Sequence, residues 1–294
     1  MNALTPIPTP EPDHSSAMDI LPPSPPVPVP KPGLYDRIPE DQYHASPGVS
    51  VSRLKIFAKA PAKARYGQNK ETDSLRFGSL IHTAVLEPAE LDLRYMVTDL
   101  ERFDPRTGDF KEEILKAKGR ELVKRAEYEE ALRIQDAVHA HPSAGALLRG
   151  DLRVEQSFYW IDPETGLLCR GRADSLRMEL HAIVDLKSAA DASPDPRGFA
   201  KSCGEYKYHW QDAYYREGIE AVTGWQPEAF VFIAVEKERP YLVATYELEP
   251  AAIERGREDV HEQLRLYAKC LKDDYWPGYS GEIEPLAMPS WAYA

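Results

Sequence analysis

Two short stretches of this chain collect residues able to do phosphate chemistry: Gly171-Arg172-Ala173-Asp174 and Ile183-Val184-Asp185-Leu186-Lys187. Asp174 and Asp185 stand eleven positions apart, and Lys187 follows the second acid by two. Apolar runs frame both acids (Phe158-Tyr159-Trp160 before, Ala182-Ile183-Val184 between), which places them on adjacent strands. Side chains alternate along a strand, so Asp185 and Lys187 share one face and Leu186 takes the other. Carboxylate oxygens hold hard divalent cations, and a neighbouring ammonium orients an attacking water or offsets the charge that grows at phosphorus. Two acids and a lysine at one edge of a sheet therefore suit metal-assisted hydrolysis of a phosphodiester. On the exposed face of an acidic protein the same residues would read as solvated charges, so the surrounding chain has to decide between the two.

Two helical pairs do so. Phe77-Gly78-Ser79-Leu80-Ile81-His82 sets Gly78 and His82 four apart, on one helix face. Tyr208-His209-Trp210-Gln211-Asp212-Ala213-Tyr214-Tyr215 sets Gln211 and Tyr215 at the same spacing. In this order (glycine and histidine, an acid at Glu155, Asp174, Asp185-x-Lys187, then glutamine and tyrosine) the chain resembles the RecB-type branch of the PD-(D/E)xK nucleases. Within that branch it resembles the RecE nuclease family of prophage recombination. The matching segments are Tyr43-His44-Ala45-Ser46-Pro47-Gly48-Val49-Ser50, Leu86-Glu87-Pro88, Asp162 to Arg170, Tyr208 to Ala213, and Leu286-Ala287-Met288-Pro289-Ser290-Trp291-Ala292. The resemblance runs from about Gly33 to the C-terminus.

The resemblance implies an α/β fold: a PD-(D/E)xK, restriction-endonuclease-like core with a central mixed β-sheet flanked by helices. It implies metal ligation by Asp174, Asp185, His82 and the backbone carbonyl of Leu186, with Mg2+ as the ion and Mn2+ able to substitute. A lone histidine on an apolar helix is ordinarily a packed core residue, and imidazole is not magnesium's preferred donor. Lys187 would position the nucleophilic water, and Glu155 would be a further acid of the site. Gln211 and Tyr215 would bond phosphate oxygens or hold Lys187, the tyrosine being equally readable as core. Arg170 and Arg172 share one face of the Asp174 strand, and either could grip a terminal phosphate in bidentate fashion. The implied activity is exonucleolytic digestion of linear double-stranded DNA from its 5′ end, leaving a 3′ overhang for a single-strand annealing protein. The implied assembly is a homo-oligomer, a tetrameric ring. Two other readings stay open: an endonuclease of the same superfamily, and a DNA-binding module that has kept the fold and lost catalysis.

Bulk properties agree with most of this. A chain of 294 residues that is 43% hydrophobic can bury a full core. No apolar run reaches the length of a membrane span and no signal peptide opens the chain, so a cytoplasmic location in a bacterial or phage-infected cell is expected, with no membrane partner. Cys169, Cys203 and Cys270 are too few for the four-cysteine set of an iron–sulfur cluster, so no cluster is expected. The formal net charge of −12 is unusual for a protein that binds phosphates.

Residues 1–32 are dense in proline, which removes backbone donors and favours extended chain; a disordered tail is expected there, and a single nuclease domain over 33–294. Ser50 caps a helix start, residues 74–86 form the His82 helix, and residues 112–139 form one or two long charged helices. Strands follow around 155–161, 167–176 and 181–188, then a helix over 206–223, strands over 229–235 and 241–248, and an amphipathic helix over 250–272.

Overall fold

The computed structural model describes residues 29–68 and 72–293. The expected proline-rich tail lies outside the described residues as far as position 28. The N-terminal half contains β1 (Gly33–Tyr35), α1 (Glu40–Ala45), α2 (Val51–Phe57), α3 (Pro61–Tyr66), α4 (Asp73–Leu86), α5 (Leu91–Arg94), β2 (Tyr95–Thr98), α6 (Gly108–Ala117), β3 (Glu121–Lys124), α7 (Arg125–Ala140) and α8 (Pro142–Leu147). The C-terminal half contains β4 (Arg153–Ile161), β5 (Leu168–Arg177), β6 (Ala182–Ala189), α9 (Phe199–Glu205), α10 (Tyr208–Thr223), β7 (Ala229–Glu236), β8 (Val243–Tyr246) and α11 (Pro250–Asp273).

Six strands form the central sheet in the order β1-β4-β5-β6-β7-β8. Only β6 and β7 run parallel; the other neighbours are antiparallel, so the sheet is mixed as expected. In the middle strands hydrophobic residues fill both faces, as helices on either side require. On one face Phe158, Ile183, Phe230 and Phe232 pack with Tyr214, Ile219 and Trp210 of α10, Val260 and Leu264 of α11 and Leu54 of α2. On the other, Val184, Leu186, Ile233 and Val235 pack with Leu80, Ile81 and Val85 of α4 and Ile134 and Val138 of α7. Each such side chain contributes roughly 1.5–3 kcal/mol of transfer free energy. Helix α10 lies close to the sheet because Gly218 meets the Phe158 ring; a Cβ there would fall 2.6 Å from Phe158 Cε2.

Local signals place most element starts. Ser50 Oγ accepts the Arg53 N–H and caps α2, and Thr72 Oγ1 accepts the Leu75 N–H and caps α4. The expected helical stretch over 112–139 is divided. Lys118 and Gly119 both adopt positive φ (53° and 90°) and end α6, after which β3 pairs in parallel with β2. Burial of Leu122 and Val123 holds this four-residue strand, although charged neighbours hide it in the sequence.

Candidate active site

The sheet forks where the acids lie. The β4–β5 register pairs Val154 with Ser175 and Gln156 with Ala173, so Glu155 stands opposite Asp174. The β5–β6 ladder runs only from Arg177–Ala182 to Ser175–Val184, and the next position in register sets Asp174 opposite Asp185. Glu155, Asp174 and Asp185 thus occupy one row across three neighbouring strands. The pairing lapses along that row, which frees backbone groups for side chains. Asp174 Oδ2 accepts the Leu186 N–H at 2.8 Å and ties the diverging strands together.

Alternation along β6 turns Ile183, Asp185 and Lys187 toward α10, and Val184 and Leu186 toward α4. Asp185 is 1% exposed. One of its oxygens contacts the Lys187 ammonium, and the other accepts from Gln211 Nε2 of α10 at 2.5 Å. Burial raises the Asp185 carboxyl above its ordinary value, with Lys187 opposing and the Asp174 charge adding to the rise. Lys187 remains a cation: burial acts to lower its ammonium, but Asp185 and Asp174 outweigh that and hold it above its ordinary value.

His82 arrives from α4 with Nδ1 3.5 Å from Asp174 Oδ2. Glu155 Oε2 lies 3.4 Å from Arg172 Nη1, and Arg172 Nε donates to Ser157 Oγ at 3.1 Å. Burial, reinforced by the Asp174 charge, pushes the Glu155 carboxyl up to about 7. His82, Glu155, Arg172, Leu186 and Lys187 line a cleft of about 890 Å³, whose walls also include Glu87, Arg94 and Tyr208. Most residues that the sequence assigns to the site therefore converge.

A family model covers residues 50–289, that of a PDDEXK-like domain of unknown function, DUF3799. The chain belongs to this family. The DUF3799 fold is similar to the crystal structure of a "putative exonuclease" from Eubacterium rectale, with a TM-score of 0.57 at 16% identity over 84% of this chain and 92% of that one. A likeness at that identity speaks for the fold alone. A second solved structure, SSO0001, is 18% identical over 63% of this chain and 85% of that one, with a TM-score of 0.26, and carries no argument. No curated protein is significantly similar. None of the helices described is long and apolar enough to cross a membrane.

Two expected site residues form no hydrogen bond or ion pair with the acids. Tyr215 belongs to the core, its ring edge-on to Phe158 at 5.2 Å and tilted against Phe230 at 6.2 Å. It is close enough to Asp185 and Asp174 that their charges add to burial in raising its phenol. Arg170 is buried away from the cleft wall and donates to the carbonyls of Tyr43 and Ser46 and, at 2.7 Å, to Ser46 Oγ. It anchors the segment before α2, so that of the two strand arginines Arg172 is the one that lines the cleft. Glu87 enters as an acid that the motif reading did not assign. It is buried at the end of α4, with Oε2 2.7 Å from Arg94 Nη2 and Oε1 without a hydrogen-bond partner. Its signal in the sequence is an acid followed by proline directly after the His82 helix.

Among the described residues no three His, Cys or carboxylate side chains close into a ready-made metal cage. The donor set nevertheless fits a hard divalent cation. Magnesium keeps several waters and takes one or two carboxylates, which Asp174 and Asp185 supply at the fork. The charges crowded on Glu155, Asp174 and Asp185 are those a divalent cation would relieve.

Proposed function

We propose that this domain hydrolyses phosphodiester bonds of DNA with the help of a divalent metal ion, and that it acts as an exonuclease of the RecE type on the ends of linear duplex. One observation carries the reading: Lys187 and Gln211 grip the two oxygens of Asp185 beside Asp174, at the fork of the sheet, with Lys187 on the wall of the adjoining cleft. Asp174, Asp185 and the Leu186 carbonyl would hold magnesium, with His82 beside Asp174. The bound ion would supply Lewis-acid stabilisation and a more acidic water.

The chain's own residues do the rest. Gln211 fixes the rotamer of Asp185, so the Lys187 ammonium stays aimed at a phosphate or its attacking water. Glu155, with its carboxyl at about 7, is poised to take or return a proton at neutral pH. Arg172 stacks over the Tyr43 ring at 4.2 Å and offers the cleft a fixed cation. The neighbouring fold described as an exonuclease agrees with this reading, and the family resemblance adds 5′→3′ polarity, a single-strand annealing partner and a closed oligomer.

The test is digestion of end-labelled linear duplex in magnesium beside covalently closed DNA. Loss of linear duplex with the closed circle intact is the expected result. Cutting of the circle would instead mark an endonuclease, and binding without cleavage of either would mark a module that has lost catalysis.

A further inference from the structure

Three lysines from separate elements gather around the start of α10. Lys55 reaches from α2 with Nζ 5.5 Å from the centroid of the Tyr208 ring, and Lys187 of β6 lies 4.9 Å from the same centroid. Lys207, the residue before α10, holds a left-handed backbone (φ 52°) and sets Nζ 4.1 Å from the Trp210 ring. Lys187 has Asp185 as its counter-ion. Among the described residues, Lys55 and Lys207 have no carboxylate oxygen within 4.0 Å. Both are half-buried, so water compensates them only in part. Burial and the Lys187 charge lower the Lys55 ammonium to about 7, with Lys207 adding to the fall and Asp185 opposing it.

On the wall of the cleft Arg172 is matched by Glu155 and Arg94 by Glu87, while Lys237 donates to Ser74 Oγ at 3.4 Å. The Lys187 and Lys207 charges both act against the Lys55 ammonium, and among the described residues Lys55 and Lys207 lie over the Tyr208 and Trp210 rings. An entering anion would relieve that repulsion, and the positive end of the α10 dipole would favour it further. A nucleic-acid strand brings a negative charge every ~3.4 Å of rise, close enough to serve neighbouring cations at once.

We propose that Lys55 and Lys207 hold further phosphates of the strand whose reacting phosphate Lys187 addresses, so that the three lysines form a track for a single DNA strand. The proposal rests on the nuclease reading of the site and extends it to a substrate-binding path. It gives a chain of formal net charge −12 a local means of holding a polyanion.

The experiment measures affinity of the full chain for a labelled single-stranded oligodeoxynucleotide in EDTA, by fluorescence anisotropy over a range of salt concentrations. Each phosphate contact on a single strand contributes about 0.7 to the slope of log K against log salt. Lys55→Met and Lys207→Met should each lower the slope by about 0.7, and the double variant by roughly 1.4. Lys55→Arg and Lys207→Arg should keep the wild-type slope, and matching melting curves should show that the methionine variants fold. Lys269→Met, on the exposed side of α11, is the control for net charge and should leave the slope alone. Unchanged slopes in the Lys55 and Lys207 variants, or an equal change in the Lys269 variant, overturn the track. If the wild type still digests linear duplex in that event, the nuclease reading stands. A wild type that neither binds the oligonucleotide nor digests duplex refutes both.

Discussion

Glu155 stands opposite Asp174 across the β4–β5 ladder and adopts a left-handed backbone, with φ at 52°. For a residue with a Cβ that conformation costs about 1–3 kcal/mol. It also changes which way β4 faces. Val154 packs on the α4 side and Phe158 on the α10 side, although their separation is even and a regular strand would keep them together. The switch lets one strand line the cleft near Asp174 and still bury its aromatic residues under α10. The strain is thus spent where the acids must converge.

The buried Glu155 carboxyl makes stability depend on pH. In the folded chain it keeps its proton up to about 7, against an ordinary value of 4.5. Between those values the folded state holds one more proton than the unfolded state, so stability falls as pH rises. Glu155→Gln keeps the shape and removes the titration. Melting temperatures measured in EDTA should drop less from pH 4.5 to pH 7 in the variant than in the wild type. Parallel curves would show that Glu155 is not held protonated. Magnesium should compete with the proton, so adding it should stabilise the wild type more than the variant near pH 7.

The Asp185–Lys187 pair separates catalysis from folding. Asp185→Asn should cost about a thousandfold or more in hydrolysis, because it removes a metal-binding charge and the anchor of Lys187. Lys187→Met should match that loss in rate. It should also destabilise the fold by roughly 3–5 kcal/mol, since it strands a buried carboxylate. The double variant Asp185→Asn, Lys187→Met should regain part of that stability with no regain of activity. Denaturant unfolding of the four proteins completes the cycle, and additive losses would show that the two side chains are uncoupled.

Much of this site was legible because strand period is strict. Once β6 was recognised, alternation alone put Asp185 and Lys187 on one side and Leu186 on the other. The helical pair was less secure. Four residues advance a helix by about 400°, which leaves Tyr215 turned roughly 40° from Gln211. On α10, packed between the sheet and α11, that turn carries the side chain from beside Asp185 to the rings of Phe158 and Phe230. Arg170 and Arg172 share a face, but a strand rises about 3.3 Å per residue. Arg170 therefore stands about two residue pairs from Asp174 and reaches Ser46 instead of the cleft. The left-handed Glu155 gave no sign, because non-glycine residues do not announce positive φ. Lys55 gave none either, since only the packing of α2 beside α10 brings it near Lys187.

On the proposed reading Gln211 acts on chemistry through Asp185. Its amide donates to the carboxylate oxygen that Lys187 does not contact, which fixes the acid's orientation. Such supporting contacts are worth about 10–100-fold in activity or metal affinity. Gln211→Ala should raise the magnesium concentration needed for half-maximal rate by about that factor, while saturating magnesium restores much of kcat. Gln211→Glu places a like charge against Asp185 and should be worse than alanine. A magnesium requirement equal to that of the wild type in the alanine variant would remove Gln211 from the site.

The final prediction concerns assembly. The segment after α11 exposes Tyr275, Tyr279, Ile283 and Leu286, with Ile283 and Leu286 almost wholly in solvent. Trp276 turns inward, packing edge-on against Phe57 at 6.2 Å and so fixing where the segment leaves the domain. Leu93 and Leu115, near α5 and α6, are also exposed. Apolar groups set out along an anchored strap are costly in water and suit burial against a second copy of the chain. A closed ring needs two different patches that meet between neighbours, and the strap and the α5–α6 region could supply one each. Light scattering at micromolar concentration should therefore report a homo-oligomer, with a tetramer expected from the family resemblance. Replacing Ile283 and Leu286 together by serine should shift the mass toward the monomer without lowering the melting temperature of the domain. Digestion under a DNA trap should then change from processive to distributive, because a monomer can leave the strand after each step. A wild type of monomer mass that is nonetheless processive would mean that the grip lies in the cleft itself.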